Sequence, residues 1–236
     1  MRRSSTAETL IRAENLGFAY RAQRKSDPNN HTHNTIGGIN FVLSKGSSIG
    51  VVGRNGAGKS TLLRVLAGIF APTSGRLSIA PGATIGLLAL GVGFNGFLTG
   101  RDNAVLSALL MGYSSKTAEN HLEDIKKFSE LGDAFERPVR TYSSGMRARL
   151  SFSTLLHLHV DVLLIDEVLA VGDGHFARKA KAALREKVEG DQTVVLVSHS
   201  AKDITELCDT AIWLSGNAMK LAGPAHEVVQ AYEASL

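Results

Sequence analysis

Between positions 53 and 61 the chain reads Gly53-Arg54-Asn55-Gly56-Ala57-Gly58-Lys59-Ser60-Thr61, a glycine-rich run closed by a lysine and two hydroxyls. Glycine admits left-handed backbone conformations, so a turn of this spacing can aim successive N–H groups inward at phosphate oxygens. The flanks fit that use. Ser48 to Gly53 is a short apolar run bounded by glycine, and Ser60 to Phe70 shows helical spacing. Together they predict strand, glycine-rich turn and helix, the context a phosphate-binding loop needs. The helix beginning near Ser60 adds its positive end. Lys59 can neutralise charge on the β- and γ-phosphates, and the Ser60 hydroxyl can ligate Mg²⁺.

Three later segments gain meaning from that loop. Val162-Leu163-Leu164-Ile165-Asp166-Glu167 places two carboxylates at the end of a buried strand, where open parallel sheets bind ligands. An acidic pair there is by itself more often a solvated turn or a helix cap, and the upstream loop reverses that weighting. Asp166 suits the metal, and Glu167 suits the water that attacks the γ-phosphate. Val194-Val195-Leu196-Val197-Ser198-His199 repeats the arrangement with a histidine, whose ring nitrogen can reach a γ-phosphate or position water. The other histidines, including His157 and His159, are assigned to surface or packing. Tyr142-Ser143-Ser144-Gly145-Met146 precedes a helical pattern from Arg147 to Leu156. In isolation Ser143 or Ser144 is an ordinary N-cap, but hydroxyl, glycine backbone and helix N-terminus also make an anion site.

Strand patterns alternating with helical ones predict a parallel sheet covered on both faces. Leu10 to Tyr20 alternates like an edge strand, and Arg24 to Thr35 reads as an exposed polar loop. From Thr99 to Leu156 apolar residues recur at helical intervals through Val105-Leu106-Leu109-Leu110 and Leu122-Ile125-Phe128-Leu131, which predicts a helical insert. Near the C-terminus, Ala211 to Leu214, a turn at Ser215-Gly216-Asn217 and a short return strand lead to a helix opened by Pro224.

At 236 residues and 44% hydrophobic, the chain can bury one sizeable α/β core with a smaller appended subdomain. No apolar stretch approaches the roughly 18 to 20 residues needed to cross a bilayer, so a cytosolic location is expected. The single cysteine, Cys208, argues against redox or cysteine–metal chemistry and is expected to be a small apolar residue on a helix. The net charge of +4 is spread without interleaved aromatics, so no nucleic-acid partner is expected.

In this order and spacing, from about residue 10 onward, the elements resemble the ATP-binding cassette (ABC) transporter ATPases. The resemblance implies an α/β P-loop NTPase core with a mostly parallel sheet, N-terminal antiparallel strands and a helical subdomain. Residues 10–94 and 157–236 would form the nucleotide-binding core, 95–156 the helical subdomain and 1–9 a tail. It also implies that Gly53 to Thr61 is Walker A, that Ile165-Asp166 is Walker B with Glu167 as catalytic glutamate, and that Tyr142 to Met146 is the signature motif. His199 would be the switch histidine, Tyr20 would stack on adenine, and Ala170-Val171-Gly172-Asp173 would meet a partner subunit.

Those motifs and the stretch Leu88 to Gly100 are similar to the ATPases of capsular polysaccharide exporters, in which the Tyr-Ser-Ser-Gly-Met signature is characteristic. Asn95 stands where that subfamily usually carries a glutamine that touches Mg²⁺ and water. By this resemblance ATP and Mg²⁺ are bound, and Ser143 and Gly145 complete the site of the opposite subunit in a homodimer. That dimer would drive a separate permease pair from the cytoplasmic face of the bacterial inner membrane. Export of O-antigen or teichoic acid is the alternative within the class, and a DNA-associated ATPase is the rival outside it.

Overall fold

The computed structural model describes residues 8–20, 33–88, 94–166, 174–198 and 200–236, with only the backbone path at 33–35. Nine strands form one sheet: β1 (Thr9–Tyr20), β2 (His33–Ser44), β3 (Ser48–Val52), β4 (Ser74–Ile79), β5 (Ile85–Leu88), β6 (Val162–Asp166), β7 (Thr193–Val197), β8 (Thr210–Ser215) and β9 (Ala218–Pro224). Their order is β4-β1-β2-β9-β8-β3-β7-β6-β5. The strands around β3 run parallel, with Val51 beside Val197 and Leu164 beside Val195, whereas β1 pairs antiparallel with both β2 and β4. This is the expected class, an α/β P-loop fold with antiparallel strands at its N-terminal side.

Strand alternation splits the core into two layers. Val51, Leu164, Val195 and Val197 pack with Leu62, Leu63, Val65 and Leu66 of α1 (Lys59–Leu66) on one face. Leu163, Ile165, Val194 and Leu196 face the other way. There they meet Phe152 of α4 (Ser144–His157), Phe176 and Leu184 of α5 (Gly174–Glu189), Ile204 of α6 (Ala201–Leu207) and Val228 of α7 (Ala225–Glu233). Each fully buried side chain of this size is worth about 1.5 to 3 kcal/mol of transfer free energy, so β3, β6 and β7, buried along nearly their whole length, gain the most from burial.

The insert consists of α2 (Gly100–Leu110), α3 (Ser115–Ser129) and α4, built around Leu122, Ile125, Phe135, Tyr142 and Leu150. α2 begins with a capping box: Thr99 accepts from the Asp102 N–H while the Asp102 side chain returns a bond to the Thr99 N–H.

The local outcome differs from expectation at several points. β1 is an inner strand, because β4 covers its outer side. The polar loop does not extend to Thr35, since His33 already pairs with Tyr20; residues 21–32 lie outside the described residues. In α2 the apolar pair Leu109 and Leu110 is 44% and 76% exposed, and the buried face is instead Asn103, Ala104 and Ala108. Small side chains let α2 approach its neighbours closely, which periodicity of large apolar residues does not reveal. Pro224 closes β9 and caps α7 from outside. Cys208 is the residue following α6, not within it; its thiol is pushed up to about 12, chiefly by burial, so it behaves as an inert packed group.

Candidate nucleotide site

The glycine-rich loop lies between the last residue of β3, Val52, and the first of α1, Lys59. Gly56 and Gly58 take φ of +82° and +95°, left-handed values that a side chain would strain. The Ala57 N–H closes the turn on the Arg54 carbonyl at 3.1 Å, and the Leu62 N–H reaches the Gly58 carbonyl at 2.9 Å to start the helix. The first amides of α1 have no carbonyl four residues back to receive them. Arg54, Asn55 and Gly56 are exposed, whereas Ala57, Lys59 and Thr61 are buried and Ser60 is partly so.

Lys59 is 7% exposed, and its ammonium donates to the Gly53 carbonyl at 2.8 Å and the Arg54 carbonyl at 3.3 Å. Burial lowers its pKa and the Asp166 charge opposes that shift. The lysine therefore bridges the two ends of the turn with a charge that an anion in the loop would answer better than two carbonyls do. Ser60 Oγ donates to Asp166 Oδ1 at 3.1 Å. A hydroxyl beside a carboxylate is a hard-oxygen donor pair suited to Mg²⁺, which takes few protein ligands and fills its shell with water and phosphate oxygens. The residues present thus fit both a polyphosphate and its metal.

The remaining candidates are placed as follows. Tyr20, 43% exposed, stands edge-on to Phe18 and Phe70, with ring centroids at 5.0 and 5.6 Å; Phe70 follows α1, so the ring is anchored to the same helix as Lys59. Ser143 is the N-cap of α4 and accepts from the Met146 N–H at 3.2 Å. Ser143 and Ser144 are exposed and Gly145 is half-buried. α4 packs against α2, α3, α5 and β5, while α1 packs against β2, β6 and β7. Glu167, His199 and Ala170 to Asp173 lie outside the described residues, as does most of the stretch between Leu88 and Phe94.

Asn95 is described, but its side-chain oxygen accepts from the Phe97 N–H at 3.0 Å, so the amide closes a turn within its own loop. Sequence reasoning passed over the residue that holds this loop. Asn103 is fully buried; its Oδ1 accepts from the Asn95 N–H at 2.8 Å, and its Nδ2 donates to the carbonyls of Asn95 at 3.0 Å and Thr99 at 2.8 Å. The legible signal was an asparagine in a first helical turn behind the Thr99–Asp102 pair, since such a side chain is placed to bond the preceding loop.

The fold and loop define a P-loop nucleotide-binding domain. The family model for ABC transporters matches residues 36–170, and this chain belongs to that family. It is 41% identical over 199 residues to the O-antigen export system ATP-binding protein RfbB of Myxococcus xanthus, covering 84% of this chain and 45% of that protein. It is also 41% identical over 195 residues to the teichoic acids export ATP-binding protein TagH of Lactococcus lactis, covering 83% and 41%. The chain therefore spans less than half the length of these two relatives. Among solved structures, the ATP-binding cassette MJ0796, dimeric and bound to ADP and Pi, superposes with a TM-score of 0.76 at 18% identity over 92% of this chain and 99% of that one; this likeness concerns the fold.

Proposed function

We propose that the chain is the ATP-hydrolysing subunit of an exporter of a cell-surface glycan polymer. The observation that carries the ATPase half is the Lys59–Ser60–Asp166 constellation: a buried ammonium held over the turn, with a hard-oxygen pair beside it. In this reading the loop amides and Lys59 bind and orient the triphosphate, the exposed Tyr20 ring takes the adenine, and Ser60 and Asp166 hold the metal. Bound Mg²⁺ would supply charge neutralisation on the β- and γ-oxygens. Glu167 would take a proton from the attacking water and His199 would fix the γ-phosphate. Ser143 and Gly145 would serve the site of a second copy.

The glycan half rests on the likeness to proteins named for O-antigen and teichoic acid export; capsular polysaccharide, suggested by the Tyr142–Met146 motif, is the finer reading within it. A membrane permease pair is the expected partner. Among the described residues no helix is long and apolar enough to cross a membrane, so a transport path would have to come from elsewhere. Phe97 before α2 and Leu110 at its end are 78% and 76% exposed, so each could take part in a contact with an apolar partner segment. The working location would be the cytoplasmic face of the inner membrane.

The test is deletion of the gene in its source organism, with complementation by the wild type and by Lys59→Ala. Loss of one surface glycan, with that polymer retained inside the cell and restored only by the wild type, is the expected result. The polymer that disappears, on gels for O-antigen, in phosphate content for teichoic acid or by capsule staining, assigns the substrate. Unchanged surface glycans would reject the export reading.

A further inference from the structure

A cleft of about 660 Å³ opens where α4 and α5 end, beside the starts of β6 and β7. β6 runs five residues from this cleft to Asp166, roughly 15 Å at strand rise, so the cleft is remote from the glycine-rich loop. Its apolar wall is made by Phe128, Leu156, Val160 and Ala183. On that wall sits Lys187, half-buried and without a hydrogen-bond or ion-pair partner among the described residues. Burial pushes the pKa of this ammonium down.

Three of the other titratable groups there have partners, while the side chains of Glu186 and Asp191 have none among the described residues. Lys45 meets Glu8 at 3.5 Å, and Asp161 accepts from the N–H and hydroxyl of Thr84 at 2.7 and 2.8 Å. His157 Nδ1 is tied to the Ser153 carbonyl at 2.8 Å; that carbonyl can only accept, so Nδ1 carries the proton and Nε2 is left over. A lysine in the last turn of a helix ordinarily complements the helix dipole from solvent. Lys187 is instead desolvated on an apolar wall, which costs free energy unless an anion answers it.

We propose that this cleft is a binding site for a small amphipathic monoanion, an alkyl or aryl chain ended by a carboxylate, with Lys187 as its charge partner. The hydrocarbon would lie on Phe128, Leu156 and Val160. A monoanion is favoured over a phosphate dianion for two reasons. The lining has no arginine fork to match phosphate geometry, and Asp161, Glu186 and Asp191 in the same lining disfavour each negative charge on a ligand, so one charge is opposed less than two.

The probe pair is 5-phenylvalerate and its uncharged analogue 5-phenylpentanol, titrated calorimetrically into the full chain with and without saturating Mg·ATP. The carboxylate should bind with a dissociation constant below about 1 mM, reasonable for a ligand of this size, and at least about tenfold more tightly than the alcohol. Lys187→Met should abolish that preference while leaving the melting temperature unchanged or raised, because the lysine makes no bond to lose. Ala183→Trp, which fills the wall, should weaken both probes, and ATP should not displace either. Absence of carboxylate binding, an undiminished preference in Lys187→Met, or displacement by ATP would each overturn the proposal. If Lys187→Met does not fold, Lys187→Gln with Ala183→Trp decides it by the same criteria.

Discussion

Ser60 Oγ donates to Asp166 Oδ1 at 3.1 Å across 106 residues of sequence, joining the first turn of α1 to the end of β6. In the proposed function the contact holds two metal ligands ready. Asp166→Asn keeps the shape and removes the charge. It should lower Mg²⁺-dependent hydrolysis by about two orders of magnitude or more while leaving nucleotide affinity in EDTA within about threefold. Phosphate release and binding of a fluorescent ATP analogue measure the two. An equal loss of affinity with and without metal would give Asp166 a structural role instead.

The Asn95 loop depends on Asn103. Asn103→Ala removes one acceptor and two donors from part-buried bonds to the backbone at Asn95 and Thr99, and because both carbonyls keep another donor the loss should cost about 1 to 2 kcal/mol in urea denaturation. Asn103→Asp keeps the acceptor for the Asn95 N–H but loses both donors, so it should fall between. A midpoint unchanged in Asn103→Ala would show that the Thr99–Asp102 capping box holds the loop alone.

Acid stability has an identifiable contributor in Asp161. The Thr84 N–H, then the Thr84 hydroxyl, hold its pKa below the ordinary aspartate value. Because the folded value lies below the unfolded one, the contribution is complete above about pH 4, near the unfolded pKa, and is lost as pH falls through the folded value. Asp161→Asn should therefore cost about 1 to 2 kcal/mol at pH 7, and the gap from wild type should be narrower at about pH 3. A gap of equal size at both pH values would mean that the bonds to Thr84 do not depend on the carboxylate charge.

The nucleotide loop was legible because its chemistry is backbone chemistry. Only glycine takes the φ of +82° and +95° found at Gly56 and Gly58 without strain, so the requirement is written in residue identity. Parallel strands such as β6 and β7 were legible for a related reason, since burial on both faces demands an unbroken apolar run. β2 and β4 were not. β2 buries Ile36, Ile39 and Leu43 but is interrupted by Gly37 and Gly38, and β4 buries no residue fully and exists by pairing with β1, a contact that local pattern does not encode. The Lys187 cleft was equally invisible, because its wall gathers Phe128, Leu156 and Val160 from segments distant from α5.

The final prediction concerns Ser143, which caps a helix of the insert and stands exposed with Ser144. α4 packs against α2, α3, α5 and β5, whereas Lys59 belongs to a helix packed on β2, β6 and β7. If Ser143 and Gly145 act on a nucleotide, the proposed dimer has them act on the one held by the partner's loop, as in a head-to-tail arrangement of two identical chains. Mixing Lys59→Ala subunits with Ser143→Arg subunits separates the alternatives. Action across the dimer places both defects in one composite site and leaves the other intact, so differentially tagged mixed dimers should recover part of the ATPase activity absent from either homodimer. Action within one subunit puts a defect in each site and allows no recovery. A mixed dimer of wild-type and Lys59→Ala subunits supplies the control. If it is active and the doubly defective mixture is not, Ser143 does not work across the interface.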